Sequence, residues 1–193
     1  MDTYRVMRII QVLLIVASFL VNFSYATVID FESFVDGQNI NGLNIGGVTL
    51  TSPTDGIVEI FDDRFGCSCH SPTKSFSTPS CETDPIVGVF DSPQTYIALC
   101  GGDAGLGDTD SWELEAFDAQ VGGTTLGMVQ SGEWNGFPYR KLEINAANIW
   151  RFEARWTGDV CGTCYDDLEF VPEPATVLLL GLGGFALLKK RSA

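Results

Sequence analysis

Six cysteines are the residues whose chemistry is easiest to predict in this chain. Their even number predicts three disulfides if the chain enters an oxidising compartment, and the sequence leaves the pairing open. The close spacing of Cys161 and Cys164 favours a bridge between these two, closing a small loop before the last strand. The six candidates are Cys67, Cys69, Cys81, Cys100, Cys161 and Cys164.

Zinc binding is the alternative use of the same side chains. Cys67, Cys69 and His70 lie close together in the sequence, and Cys161 and Cys164 could complete a tetrahedral set with them. Thiolate and imidazole are the ligands that zinc prefers. An oxidising compartment favours disulfides over the thiolates that zinc needs, so the disulfide interpretation is preferred.

Acidic residues suggest calcium at two places, because calcium takes hard oxygen ligands. The first is the glycine-rich segment 101–110, with Asp103, Asp108 and Asp110, which lacks the closing glutamate of an EF-hand loop. A solvated acidic loop is the simpler interpretation of this segment. The second set comes from the two ends of the central region: Asp30, Glu32, Asp166 and Asp167.

Three aromatic residues, Trp134, Phe137 and Tyr139, lie in the turn-rich segment 131–139. Aromatic rings give a large contact area at low entropy cost, so rings held between strands could stack on the faces of sugar rings. This pattern predicts a glycan contact. The alternative is that the same rings plug one end of the domain.

The sequence offers little support for catalysis. His70 is the only histidine, and no Gly-x-Ser-x-Gly segment supplies a nucleophile beside it. With 25 acidic residues in the chain, a pair of carboxylates somewhere is no evidence for glycoside hydrolysis. We therefore expect a protein that is not an enzyme.

The excess of acidic over basic residues excludes some classes of binding partner. The chain has 25 Asp and Glu against 11 Lys and Arg, a formal net charge of −14. Five of the basic residues lie in the two ends, so residues 27–171 carry 23 acidic and 6 basic side chains, a net charge of −17. Such a field repels nucleic acid and anionic lipid, so neither is an expected partner.

The pattern of residues 27–171 is that of an all-β domain. Short runs of β-branched and aromatic residues are separated by Gly, Pro, Asp and Asn. Residues 112–116 and 150–155 alternate between apolar and charged side chains, which is the period of a strand with one wet face. The sequence therefore predicts an antiparallel two-sheet β-sandwich, jelly-roll-like, with about ten strands.

The N-terminal residues 1–26 have the pattern of a secretory signal peptide. Arg5 and Arg8 precede an apolar run over 9–21. The run is followed by the tripeptide Ser24-Tyr25-Ala26, which has small residues at its first and last positions, as a signal-peptidase cleavage site does. Cleavage is expected before Thr27. An uncleaved anchor is the alternative, but the apolar run is short for a bilayer span of about 20 residues.

The C-terminal residues 172–193 follow the domain in three parts. The segment Val171-Pro172-Glu173-Pro174-Ala175 must end the folded domain, because its two prolines interrupt both helix and ladder hydrogen bonding. A short transmembrane helix is predicted over 177–188. The charges of Lys189, Lys190 and Arg191 place its far end in the cytoplasm by the positive-inside rule.

These three parts resemble the PEP-CTERM sorting signal of Gram-negative bacteria. The resemblance implies that an exosortase, an integral-membrane transpeptidase-like enzyme, recognises the tail and removes it near Pro172 to Pro174. It also implies an organism that makes exopolysaccharide. The expected route is an inner-membrane-tethered intermediate that later reaches the cell envelope, the surface or the extracellular matrix. Signal peptidase and the secretion machinery are the other expected partners.

The exported domain also resembles carbohydrate-binding jelly rolls, in its opening at 29–32, its glycine-led strand at 47–50 and its close at 165–170. In those modules the first and last strands often lie side by side and share a structural calcium. The resemblance implies the same arrangement here. The expected function is a non-catalytic envelope or matrix protein that binds or scaffolds extracellular polysaccharide. A secreted hydrolase of that polysaccharide and a purely structural surface protein are the alternatives.

Overall fold

Ten β-strands and no helix make up the part of the chain that the computed structural model describes, which is residues 25–62, 73–79, 84–103, 109–134, 139–158 and 163–173. All of the strand pairs are antiparallel. The strands are β1 (Thr27–Ile29), β2 (Asn44–Ile45), β3 (Val48–Thr51), β4 (Glu59–Asp62), β5 (Lys74–Ser77), β6 (Ile86–Asp103), β7 (Trp112–Phe117), β8 (Thr125–Gln130), β9 (Arg140–Trp156) and β10 (Thr163–Pro172).

Strands β6 and β9 are long enough to contribute to both layers of the sandwich. They pair from Ile86 opposite Ala154 to Gly101 opposite Arg140, and the register shifts between Val89 and Tyr96. Irregularities of this kind bend a strand and increase its twist. The bend lets one hydrogen-bonded sheet of ten strands fold into two layers. The predicted antiparallel β-sandwich is thus confirmed.

The first layer, which we call sheet I, contains β2, β3, the start of β6, the end of β9, β7 and β8. The second layer, sheet II, contains β4, β5, β10, the end of β6 and the start of β9, with β1 beside β10. The β2–β3 hairpin turns at Gly46 and Gly47, both with positive φ. A two-residue turn that matches strand twist needs this conformation, which glycine adopts without strain.

The core lies between the two layers and is strongly aromatic. Trp112, Phe90 and Phe152 have no exposed surface, and Tyr165 is 2 % exposed. Phe90 packs against Phe152 with 5.7 Å between ring centroids, and Trp112 meets Tyr165 edge-on at 5.4 Å. The alternation predicted for residues 112–116 places Trp112, Leu114 and Ala116 of β7 in this core.

The compact unit that contains the sandwich runs from Ala26 to Pro172. Of the predicted signal peptide, only Tyr25 and Ala26 are among the described residues. The predicted helix over 177–188 lies wholly outside the described residues. Within the described ranges, no helix has the length and apolar character needed to cross a membrane.

Replacing Gly88 by Ala should destabilise the sandwich more than the same change at Gly127. A Cβ atom at Gly88 would lie 2.0 Å from the ring of Phe152, its partner across the β6–β9 ladder, whereas one at Gly127 would lie 3.2 Å from Ile144 Cγ2. Overpacking of a core costs about 1–3 kcal/mol. Urea denaturation of both variants measures the difference, and equal free energies of unfolding would contradict this packing.

Candidate functional site

Five charged side chains cover the surface of sheet I that faces away from the core, and we call this set the charged face. They are Glu113 and Glu115 on β7, and Arg151, Glu153 and Arg155 on β9. Successive side chains of a strand point to opposite faces. Because the intervening Leu114, Phe152 and Ala154 are buried in the core, the charged residues must lie on the outer surface.

Arg155 is the centre of the charged face. Its Nε atom lies 3.2 Å from Glu113 Oε1, and its Nη2 atom lies 2.8 Å from Glu153 Oε2 and 3.6 Å from Glu115 Oε2. The Arg155 side chain is 33 % exposed, while the three glutamates are 11–17 % exposed. One guanidinium thus holds three carboxylates in fixed positions, with its planar fork of donors aimed at them.

Arg151 stabilises the neighbouring edge of the charged face. Its guanidinium carbon lies 3.8 Å from the centre of the Phe117 ring, and it forms an ion pair with Glu153. Its Nη2 atom donates a hydrogen bond of 2.9 Å to the carbonyl oxygen of Gly122, in the turn between β7 and β8. The ring and the turn therefore restrict the rotamers that this long side chain can adopt.

Strand β8 adds neutral polar groups to the same surface. Gln130 Nε2 donates to Glu113 Oε2 at 3.1 Å, and the Thr125 hydroxyl donates to Glu115 Oε1 at 2.6 Å. The two glutamates of β7 are therefore held from both neighbouring strands. Such carboxylates are fixed before any ligand arrives, which lowers the entropy cost of binding.

An apolar strip borders the charged face on its other side. Val87 and Val89 of β6 lie opposite Glu153 and Arg151 in the ladder, and both valines are half-buried. The next strand, β3, continues the surface with threonine side chains at 49 and 51. The outer surface of sheet I thus changes from hydrogen-bonding groups to hydrocarbon over adjacent strands, which are about 4.8 Å apart.

The alternating sequence indicated that residues 151, 153 and 155 face away from the core. It did not single out this surface as a site, because the network depends on which residues of β7 and β9 are paired. Glu113 lies opposite Arg155, but Glu115 lies opposite Glu153. Arg155 relieves the second, like-charged pairing by bridging both carboxylates. A cross-strand arrangement of this kind cannot be predicted from the spacing within either strand.

The cysteine prediction needs correction at one position. Cys100 is a free thiol and is 3 % exposed, inside β6. Cys164 is disulfide-bonded and lies opposite Gly102, so Cys100 is its diagonal neighbour in the ladder. Diagonal neighbours are about 7–8 Å apart, too far for a disulfide. Three intrachain disulfides are therefore excluded. The remaining candidates, Cys67, Cys69, Cys81 and Cys161, lie outside the described residues, as does His70.

Strands β1 and β10 lie side by side, as the second resemblance implied. Asp30 follows Ile29, which pairs with Leu168, and Asp166 Oδ1 accepts a hydrogen bond of 2.7 Å from the backbone N–H of Asp167. Among the described residues, no three His, Cys, Asp or Glu side chains are placed to hold a metal ion. Calcium binding stays a prediction.

The glycine-rich acidic segment is only partly described. Asp110 is fully buried and exchanges backbone hydrogen bonds with Trp134, at 2.7 and 3.0 Å. Its burial corrects the expectation that this end of the segment is solvated. The side chain of Asp103 and the whole of Asp108 lie outside the described residues.

Trp134 helps to close one end of the domain and is not part of an exposed aromatic surface. Its ring is 9 % exposed, stacks on Trp156 with 6.1 Å between centroids, and is covered by the Arg140 guanidinium at 4.9 Å. This burial corrects the prediction that Trp134 presents a stacking ring to glycan. Tyr139 is half-buried, with its hydroxyl 3.6 Å from Cys164 Sγ. Phe137 lies outside the described residues.

The candidate sorting segment begins inside the sheet. Val171 and Pro172 are the last residues of β10, and Glu173 follows them, half-buried. The other candidate residues, Pro174, Ala175, Lys189, Lys190 and Arg191, lie outside the described residues. The family model of the PEP-CTERM protein-sorting motif matches residues 170–192. The chain carries a PEP-CTERM sorting signal.

A PEP-CTERM signal implies that the chain is exported to the cell envelope or surface and is processed by an exosortase. The match spans the end of β10 and the tail, so it identifies how the protein is delivered. It carries no information about what residues 27–169 bind. No curated protein matches the chain.

Solved structures with a similar fold are β-sandwich domains of other proteins. The K2 cleaved adhesin domain of Lys-gingipain is 11 % identical, with a TM-score of 0.51 over 76 % of this chain and 99 % of that domain. The K1 cleaved adhesin domain of Lys-gingipain from Porphyromonas gingivalis W83 is 10 % identical, with a TM-score of 0.50 over 77 % and 99 %. A xylan-binding domain from CBM 22 is 11 % identical, with a TM-score of 0.48 over 78 % and 96 %. At these identities the likeness concerns the fold alone.

Glu32, one of the predicted calcium ligands, joins the segment after β1 to the start of β5. Its carboxylate accepts hydrogen bonds from the Thr73 backbone at 2.9 Å, the Thr73 hydroxyl at 2.6 Å and the Lys74 backbone at 2.8 Å. Partial burial pushes the pKa of Glu32 upward. The hydrogen bonds from Thr73 and Lys74 outweigh that effect and hold the pKa below its ordinary value of 4.5.

Replacing Glu32 by Gln should lower stability at neutral pH but not in acid. A carboxylate with a lowered folded pKa contributes stability above its unfolded pKa, and this stability is lost as the pH falls through the folded pKa. We expect a loss of about 1 kcal/mol at pH 7 that shrinks towards about pH 3. Urea denaturation at both pH values measures it, with the exposed Glu133→Gln as the matched control. A loss of equal size at both pH values would contradict the role of the charge.

Proposed function

We propose that this exported protein binds extracellular polysaccharide through the charged face of its β-sandwich, without cleaving it. The observation that carries the proposal is the network in which Arg155 holds Glu113, Glu115 and Glu153 beside an apolar strip on the outer surface of sheet I. The sorting signal supports it, because it delivers the domain to the envelope, where such polymers are found.

The chemistry of the charged face suits a ligand that is rich in hydroxyl groups. A hydroxyl both donates and accepts hydrogen bonds, so it needs acceptors and donors side by side. Carboxylates and a planar guanidinium supply both, and bonds to charged groups are stronger than neutral ones. A sugar ring also has an apolar C–H face, for which the adjacent Val87 and Val89 offer hydrocarbon contact.

The net charge of the exported region selects among polysaccharides. Residues 27–171 carry 23 acidic and 6 basic side chains, so an anionic polymer is repelled over distances of about a Debye length, about 8–10 Å at physiological ionic strength. The proposed ligand is therefore an uncharged polysaccharide.

The route to the envelope completes the proposal. Signal peptidase removes residues 1–26, and the apolar segment 177–188 holds the chain in the inner membrane until the exosortase acts. The basic residues 189–191 keep the far end of that segment in the cytoplasm. After the tail is removed, the domain is released to the envelope, the surface or the matrix.

Replacing Arg155 by Gln should weaken polysaccharide binding by about tenfold or more, because each lost bond to a charged group contributes about 1.5–3 kcal/mol. Affinity gel electrophoresis of the exported protein measures binding, in gels that contain neutral or acidic exopolysaccharide purified from the host. Lys141→Gln is the matched control, since Lys141 forms an ion pair with Glu169, at 2.6 Å, on the outer surface of sheet II.

The same gels distinguish the other two functions. Retention that is unchanged in Arg155→Gln, with both variants folded by circular dichroism, would place any binding elsewhere. No retention by any host polysaccharide would favour a purely structural surface protein. Release of reducing ends from the polysaccharide would show a hydrolase and would overturn the non-catalytic proposal.

A further inference from the structure

The two ends of the compact unit lie next to each other in sheet II. Thr27, the first residue after the predicted signal-peptide cleavage, pairs with Phe170, and Val28 pairs with Glu169. Phe170 is also the first residue that the sorting-signal model matches. The N-terminal strand of the folded domain therefore pairs with the residues at which the sorting signal begins.

The first three residues of the sorting signal are part of the folded sheet. Phe170, Val171 and Pro172 belong to β10, while the matched signal extends over 170–192. Phe170 is 3 % exposed, and its ring packs 5.1 Å from that of Phe90 in the core. The signal and the domain thus overlap, with no linker between them.

Strand β6 holds the other side of this segment. Val171 lies opposite Tyr96, Pro172 lies opposite Gln94, and the Thr95 hydroxyl donates a hydrogen bond of 3.2 Å to the Val171 carbonyl oxygen. With β1 on one side and β6 on the other, β10 is an interior strand up to Phe170. We call β1, residues 169–172 and residues 94–97 together the closed end.

Removal of the tail requires the closed end to open, or to be still unformed. In the reaction a peptide bond near Pro172 to Pro174 breaks, its carbonyl carbon is transferred to water or to an amine, and the tail leaves with a new amino terminus. An enzyme that breaks a peptide bond must bind the chain on both sides of that bond. Here, on the upstream side, Glu169 and Phe170 lie in two ladders and Val171 lies in one, and the Phe170 side chain is in the core.

We propose that the closed end is a brake on processing: the exosortase acts on this chain before β1 and β6 enclose β10, or during a local opening of that end. Folding of the sandwich and removal of the tail then compete. This inference rests on the processing by an exosortase that the sorting signal implies. It adds that the fold of the exported domain, and not the sorting signal alone, determines the rate at which the tail is removed.

A spacer tests the brake in the intact chain. Six Gly and Ser residues followed by a second Phe-Val pair, inserted between Val171 and Pro172, move the Pro-Glu-Pro segment out of the sheet and keep the Phe-Val-Pro-Glu-Pro sequence of the signal unbroken. Pulse-chase labelling in the native host, with the tail followed by the change in mass, gives the rate of processing. We expect the spacer to raise this rate at least about threefold, since local opening of strand ends costs free energy that the spacer makes unnecessary. The same spacer after the exposed Gly56 is the matched control and should leave the rate unchanged.

Thr95→Val gives a second measurement with little change of shape. It removes the hydrogen bond from the Thr95 hydroxyl to the Val171 carbonyl and should raise the processing rate at least about twofold, because the closed end then opens more often. If the spacer chain and the Thr95→Val chain are processed at the same rate as the unaltered chain, the brake is overturned. Processing by the exosortase would still stand in that case. If the unaltered chain keeps its tail in the host, the implied processing fails, and the brake fails with it.

Discussion

The ladder between β6 and β9 is the interaction on which the rest of the structure depends. Both strands cross from one layer to the other, so each contributes its start to one sheet and its end to the second. Gly88 allows them to approach where the Phe152 ring covers the backbone of β6. Every other strand of the described sheet is attached to this pair directly or through β3, β7 or β10.

The sequence was most informative where the answer depends on the residues of a single strand or segment. The alternation over 112–116 predicted which side of β7 is buried, and the Pro-Glu-Pro segment marked the end of the domain. It was least informative where the answer depends on a partner strand. The turn residues around Trp134 left open whether its ring contacts glycan or plugs one end of the domain, and Arg140 and Trp156 enclose the ring. Cys100 was assigned to a disulfide by counting, although its ladder neighbours cannot provide a sulfur atom within reach.

In the proposed function, the charged face of the sandwich is the binding surface. The buried alternation of β7 and β9 anchors the backbone, and the outward alternation of the same residues places two arginines among three glutamates. Pairs of this kind contribute little to stability when they are exposed. Their fixed geometry matters more for recognition, because donors and acceptors that are already in place lose little entropy when a ligand binds. In the same proposal, the sorting signal delivers this surface to the envelope, where the polysaccharide is found.

The central claim is that the charged face of sheet I is the surface that binds polysaccharide. The most direct measurement is a nuclear magnetic resonance titration of the isotope-labelled exported protein with oligosaccharides cut from the neutral exopolysaccharide of its host. We predict shift changes at Glu113, Glu115, Arg151, Glu153 and Arg155 and at the adjoining Val87 and Val89. Shift changes confined to the outer surface of sheet II, around Lys141 and Glu169, or no changes at saturating oligosaccharide, would contradict the claim.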